Sequence, residues 1–181
     1  MLAAECAWAI LRAEHARMRE LSTMVDGTLK SGGWAHPQSQ ATSLVELIDH
    51  FQAFEETTHR PKGVVLLETM RGRSAEADEL LNELELESRH CDDLLSQSKA
   101  ALKLAGSGDM GAARTAETLL QEHRRLMAAH LEREDTLLHS QTALLLTGEE
   151  WAAVVSSMSE AMGGPRKNPT GGVRFPEDDW R

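Results

Sequence analysis

Tyrosine is absent from this 181-residue chain, and aromatic residues make up only 4% of it. With few β-branched runs as well, the residues that favour pleated strands are missing, and strands have little to form from. No apolar run approaches the roughly 20 residues needed to cross a bilayer. Glu5 and Arg12 interrupt what would have to be the apolar core of a signal peptide, so the expectation is a soluble cytoplasmic protein with no membrane partner. Only two cysteines are present, Cys6 and Cys91, too few for a disulfide framework and without the paired spacing of a zinc site. Both are expected to be buried free thiols. Basic residues are also scarce: 19 Lys and Arg against 29 Asp and Glu leave a net charge of −10 and a pI near 5.3. Neutralising phosphates needs clustered Lys and Arg, so nucleic acid is excluded as an expected partner.

What the chain does have is Ala, Leu, Glu and Arg in abundance and 41% hydrophobic residues, enough for one domain with a core built from helices. Glycine and proline are gathered at a few breaks: Gly32-Gly33 with Pro37, Pro61 with Gly63 and Gly72, Gly106 to Gly111, Gly148, and Gly163-Gly164-Pro165. Apolar periodicity between them predicts a first helix over 3–29, a second from about residue 42 to Met70 with a kink or break at Pro61, a third over 75–104, and a fourth over 111–141. Leu119, Leu126 and Leu137 lie on the inward stripe of the fourth. A short fifth helix starts at a capping box formed by Thr147 and Glu150 and ends near Met162. The expected architecture is an all-α, up-down-up-down four-helix bundle with a fifth C-terminal helix. Residues 1–162 form the bundle and 163–181 a Gly/Pro-rich coil tail.

At about 100° per residue, His15, His59, His123 and His130 fall near the centres of their apolar stripes, whereas His50, His90 and His139 project away and His36 lies in a loop. A buried imidazole without a partner is costly. Several helices each placing one inward, with Glu134 one turn after His130, call for a shared metal ion. His130 and Glu134 are four residues apart, so one nitrogen and one carboxylate converge on a common point. His123 lies two turns from His130, roughly 10 Å along the axis, and is expected to be a core histidine hydrogen-bonded to a neighbour.

The segments LRAEHARMREL around His15, IDHFQAFEETTHRPKGVVLLETM around His59, ELLNELELESRH in the third helix, HLEREDTLL around His130, and LLTGEEW resemble hemerythrin-like, HHE cation-binding domains. The run THRPK is similar to that family's histidine, proline, lysine, glutamate segment, and His130 with Glu134 to its C-terminal HxxxE. The resemblance implies His15, His59, His130 and Glu134 as metal ligands. It also shows two departures: Gly63 stands where the family carries a glutamate ligand and Ser88 where it carries a histidine. Three nitrogens and one carboxylate would suffice for one ion and look thin for a full di-iron centre. Glu55, Glu87 and Cys91 are the candidate substitute ligands.

The resemblance implies a non-haem metal-binding protein, with iron first and zinc or manganese as alternatives, that binds or senses O2, NO or another small oxygen species as a monomer or homodimer. Small residues in place of large ligands open volume, so a second reading is a mononuclear metal-dependent enzyme with a substrate pocket at Gly63 and Ser88. A third is a metal-free scaffold that acts through interaction or regulation.

Overall fold

The structure is a computed structural model that describes residues 2–32, 34 and 40–163; His36 and the tail beyond residue 163 lie outside them. All the regular elements among the described residues are helical. The first helix, α1, spans Leu2–Lys30. The second expected helix is α2, Gln40–Phe54, joined through a π-helical turn, Glu55–His59, to α3, Arg60–Met70. The third is α4, Ala75–Ala105. The fourth is α5, Met110–Arg133, followed by a second π-helical turn, Glu134–Leu138, and α6, His139–Leu145. The fifth, α7, spans Gly148–Gly163.

Local chemistry sets the boundaries. Ser74 caps α4 by accepting from the Ala77 amide, and Asp109 caps α5 by accepting from Gly111 and Ala112. Gly72 and Gly108 occupy the left-handed region, with φ of 78° and 95°, in the turns that reverse the chain on either side of α4. At the start of α7 the Thr147 amide donates to Glu150 Oε2 at 2.8 Å and the Glu150 amide to Thr147 Oγ1 at 3.3 Å, the reciprocal box expected from the sequence.

α4 and α5 form the most extensive helix pair; α1 packs on α2, α5 and α7, and α3 on α7. The resulting up-down-up-down bundle has α7 packed on α1 and α3. Its apolar core is divided in two. One cluster, from Met18 to Leu29 with Ile48, Phe51, Leu95, Leu102, Leu120 and Leu131, fills one end. The other, with Trp8, Leu11, Leu66, Met70, Leu81, Leu84, Trp151 and Met158, fills the end covered by α7. The buried polar residues Glu14, His15, Glu55, His59, Lys62 and Glu134 fall between the two clusters along the segments that carry them, and His130 borders the first cluster beside Leu131.

The irregularity expected at Pro61 takes a definite form, and two other expectations are corrected here. The irregularity ahead of Pro61 is a π turn in which the Arg60 amide bonds to the Glu55 carbonyl. The wide turn relieves the clash between the proline ring and the carbonyl one turn back, so the helix continues. The π turn at 134–138 inserts one extra residue and advances the buried stripe by one position. Leu138 is therefore buried while Leu137 is 50% exposed, and His139, expected outside, is half-buried edge-on to Trp8 with ring centroids 4.9 Å apart. Cys6 is exposed; only Cys91 is buried.

Candidate metal centre

Glu134 opens the second π turn and is 8% exposed. Its Oε2 lies 3.0 Å from His15 Nε2 and 3.6 Å from His59 Nε2, and its Oε1 lies 3.5 Å from His130 Nε2. One carboxylate thus receives three imidazoles from three segments, His15 from α1, His59 from the end of the first π turn, and His130 from α5. The rings of His15 and His59 meet edge to face with centroids 5.0 Å apart, as two imidazoles turned toward one point do. Ligand atoms of His15, His59 and Glu134 all lie within 4.8 Å of one another. His130 approaches from the other oxygen.

The opposite nitrogen of each ring faces a second carboxylate. His15 Nδ1 is 2.7 Å from Asp135 Oδ1, His59 Nδ1 is 3.3 Å from Glu14 Oε2, and His130 Nδ1 is 3.2 Å from Glu87 Oε2. Each of these carboxylates is in turn held by a cation: Asp135 by Arg19 at 2.7 Å, Glu14 by Lys62, and Glu87 by Arg133. Burial alone would raise the Asp135 carboxyl, but hydrogen bonds from Arg19 and His15 outweigh it and keep the group below the ordinary carboxylate range. An ionised carboxylate only accepts. His15 therefore donates from Nδ1. Its Nε2 is buried, has no hydrogen-bond partner of acceptable geometry, and faces a carboxylate oxygen 3.0 Å away.

A buried, unpartnered nitrogen beside a carboxylate oxygen calls for something shared between them. Electrostatics around Glu134 say the same. Burial pushes its carboxyl up, yet the His15 and His59 imidazoles beside it and the nearby charges of His59 and His130 hold it well below its ordinary value. Burial disfavours the His59 imidazolium, but Glu134 and Glu14 lift its pKa to about 9. A proton or a metal ion answers this demand. Neutral imidazoles with their second nitrogen fixed on a carboxylate are the arrangement that orients histidines toward a metal and makes them more basic. The donors present therefore fit a transition-metal ion.

The remaining sequence candidates fall elsewhere around this centre. Glu87 stands behind His130 and holds its far nitrogen. Glu55 is buried and bonds Arg60 through Oε1 at 2.9 Å. Cys91 packs in the apolar cluster with Met18 and Phe51, where burial, reinforced by Glu55, Asp92 and Glu87, pushes its thiol up to about 12. Gly63 and Ser88 line a cavity of about 250 Å³ whose wall also carries Glu55, His59, His130 and Glu134. A Cβ on Gly63 would meet nothing within 4 Å.

His123 departs from expectation. It is 4% exposed and edge-on to Phe51, but its Nε2 has no hydrogen-bond partner, and desolvation lowers its pKa to about 4.

Sequence reasoning missed the supporting layer of Glu14, Asp135, Lys62, Arg19 and Arg133. Two of its members are chain neighbours of ligand candidates, Glu14 beside His15 and Asp135 beside Glu134. The signal was a simple one: a buried imidazole has two nitrogens, and each needs a partner.

No helix among the described residues is long and apolar enough to cross a membrane. No curated protein matches the chain. Residues 6–141, which contain every histidine and carboxylate of the centre, match the model of the hemerythrin HHE cation-binding domain, and the chain belongs to that family of metal-binding domains.

Proposed function

We propose that the chain binds one transition-metal ion, iron in the first instance, through His15, His59 and Glu134, with His130 closing on the second oxygen of Glu134. The observation that carries this reading is the buried His15 Nε2, without a hydrogen-bond partner, facing Glu134 Oε2 at 3.0 Å where His59 and His130 also converge. Iron held there would supply an open coordination position for dioxygen, nitric oxide or a related oxygen species. The chain's own residues orient the donors: Asp135, Glu14 and Glu87 fix the three imidazoles, and apolar clusters bound the layer at either end. Gly63 and Ser88 stand on a cavity wall with His59, His130 and Glu134, and the lack of ligand side chains at these two positions supports one ion over two.

The test is metal analysis of the full chain purified from iron-supplemented cells, beside His15→Ala, His130→Ala and Glu134→Ala. About one ion per chain, lost in His15→Ala and Glu134→Ala and weakened in His130→Ala, is the expected result. A wild-type chain that comes out metal-free after clean purification, and stays so after reconstitution, would sink the proposal and leave an interaction scaffold.

The cavity supports a second reading, a mononuclear metal-dependent enzyme whose substrate enters between Gly63 and Ser88. Visible and near-ultraviolet absorption that changes with dioxygen or nitric oxide favours the first reading. A colourless protein with one tightly held ion favours the second.

A further inference from the structure

The four ligand candidates of the centre are not equally sealed. His15 is 0% exposed, whereas His59, His130 and Glu134 keep 7%, 6% and 8% of their surface, and these three stand on the wall of the cavity of about 250 Å³. That wall grades outward. Gly63, Ser88 and Asp92 are half-buried, and Val64, Glu85 and Arg89 are exposed, so the cavity runs from solvent to the ligand candidates. It lies in the seam between α3 and α4. α4 packs closely along α5 but meets α3 only sparingly, and Gly63 on α3 and Ser88 on α4 put little side chain into the gap.

Two arginines bridge this seam, one at either end of α3. Arg60, at its head, donates to Asp92 Oδ2 of α4 at 2.8 Å. Arg71, which caps its far end, donates to Asn82 Oδ1 of α4 at 3.0 Å and to Glu85. Gly63 and Val64 fall between the two arginines along α3, and Ser88 and Arg89 fall between Glu85 and Asp92 along α4, so the cavity opens between the bridges. The Arg60 bridge has a fixed side and a free one. Arg60 also donates to the buried Glu55 at 2.9 Å, on its own side of the seam, so losing the Asp92 bond leaves the guanidinium anchored. With side chains 38% and 35% exposed, Arg60 and Asp92 form a pair weak enough to open.

We propose that the seam between α3 and α4 is the entrance by which the metal ion reaches the centre, and that the Arg60–Asp92 ion pair is its latch. Closed, the pair ties the two helices together beside the cavity; open, Arg60 stays on Glu55 and the seam can widen past Gly63 and Ser88. The inference rests on the metal reading of the centre and adds to it a direction of entry and the contact that limits its rate. Arg60 and Asp92 bond each other and Glu55 but no ligand candidate, so the latch governs how fast the ion arrives and leaves and not how tightly it is held.

The experiment mixes cobalt(II) with the metal-stripped full chain by stopped flow, follows uptake through visible absorption, measures release into excess chelator, and takes the equilibrium affinity from competition. Asp92→Ala and Arg60→Ala should each speed uptake and release alike, by about two- to fivefold, the scale on which a partly exposed ion pair holds, with affinity unchanged. Ser88→Leu and Gly63→Leu, which fill the seam from its two sides, should each slow both rates by about tenfold or more. Unchanged affinity in these variants shows that the centre is still folded. Slower uptake in Asp92→Ala would overturn the latch, because it would make that carboxylate a lure for the incoming cation. An altered affinity at unaltered uptake in Asp92→Ala and Arg60→Ala would also overturn it, and wild-type rates in both leucine variants would overturn the entrance. A wild-type chain that holds no cobalt at equilibrium would sink the metal reading and this inference with it, an outcome distinct from an ion that binds at a rate no variant changes.

Discussion

His123 and His130 stand two turns apart on the buried face of α5, 4% and 6% exposed, and their surroundings could hardly differ more. His130 has a carboxylate at each nitrogen, Glu87 at 3.2 Å and Glu134 at 3.5 Å. His123 has an edge-on phenyl ring and an unpartnered Nε2. Burial makes an imidazole expensive, but it does not say what the imidazole is for. Carboxylates contributed by other segments do, because they fix the ring and call for positive charge at a shared point. Where none are supplied, the same side chain stays neutral and behaves as a polar flaw in an apolar core.

The strongest way to break the contrast is to remove the shared carboxylate. Glu134→Ala strips the common partner from three histidines in the polar layer, and losing one member of a buried charged network typically costs about 3–5 kcal/mol. Denaturant unfolding of the metal-stripped protein measures this, and metal content should fall to background. A variant as stable as wild type, or one still holding its ion, would show that Glu134 is not the hub.

His123 should reveal itself through acid. Its folded pKa, about 4, is depressed below the ordinary 6.5, so the unfolded chain takes up the proton first. Stability from this group is fully present above pH 6.5 and is lost as the pH falls toward 4, by roughly 3 kcal/mol in all. His123→Phe should remove that part of the acid limb. Urea midpoints at pH 7 and pH 4.5 decide the matter: the variant's midpoint should fall much less than that of wild type. A parallel fall in both proteins would mean that His123 finds a partner in solution.

A smaller effect sharpens the comparison on the metal side. Asp135→Asn, Glu14→Gln and Glu87→Gln each loosen one imidazole, and substitutions of this kind commonly weaken metal affinity 10–100-fold, about 1.4–2.8 kcal/mol. Glu55→Gln should leave affinity unchanged, since Glu55 bonds Arg60 and no histidine. Competition with a coloured chelator ranks the four. If Glu55→Gln weakened metal binding as much as the others, the division between centre and cavity would fail.

Much of this was written in the sequence at the level of periodicity. Apolar spacing placed the helices, and Thr147 with Glu150 marked the start of α7 to the residue. The inward stripes carried His15, His59, His130 and Glu134, while Gly63 and Ser88 stood out only against the ligand pattern of the family the chain resembles. Two kinds of feature were hidden. The π turns are set by backbone hydrogen bonding and by the crowding ahead of Pro61, and one inserted residue is enough to exchange Leu137 for Leu138 in the core. The carboxylate layer was hidden because it is tertiary. Glu87 reaches His130 across 43 positions and Glu14 reaches His59 across 45, and no window along one helix joins such pairs.

The gentlest perturbation is additive and bears on why one half of the centre is short of donors. Gly63→Glu with Ser88→His places a carboxylate and an imidazole on the cavity wall that carries His59, His130 and Glu134. The cost to stability should stay within about 0.5 kcal/mol. A Cβ on Gly63 enters open space, Ser88 is half-buried beside the cavity, and replacing a helical glycine by glutamate improves helix propensity. With Glu134 Oε1 and His130 Nε2 already 3.5 Å apart there, the added donors should complete a second position and raise the metal content from about one ion per chain to about two. A double variant that still holds one ion would mean that the geometry of α3 and α4, and not the missing side chains, limits the site to a single metal.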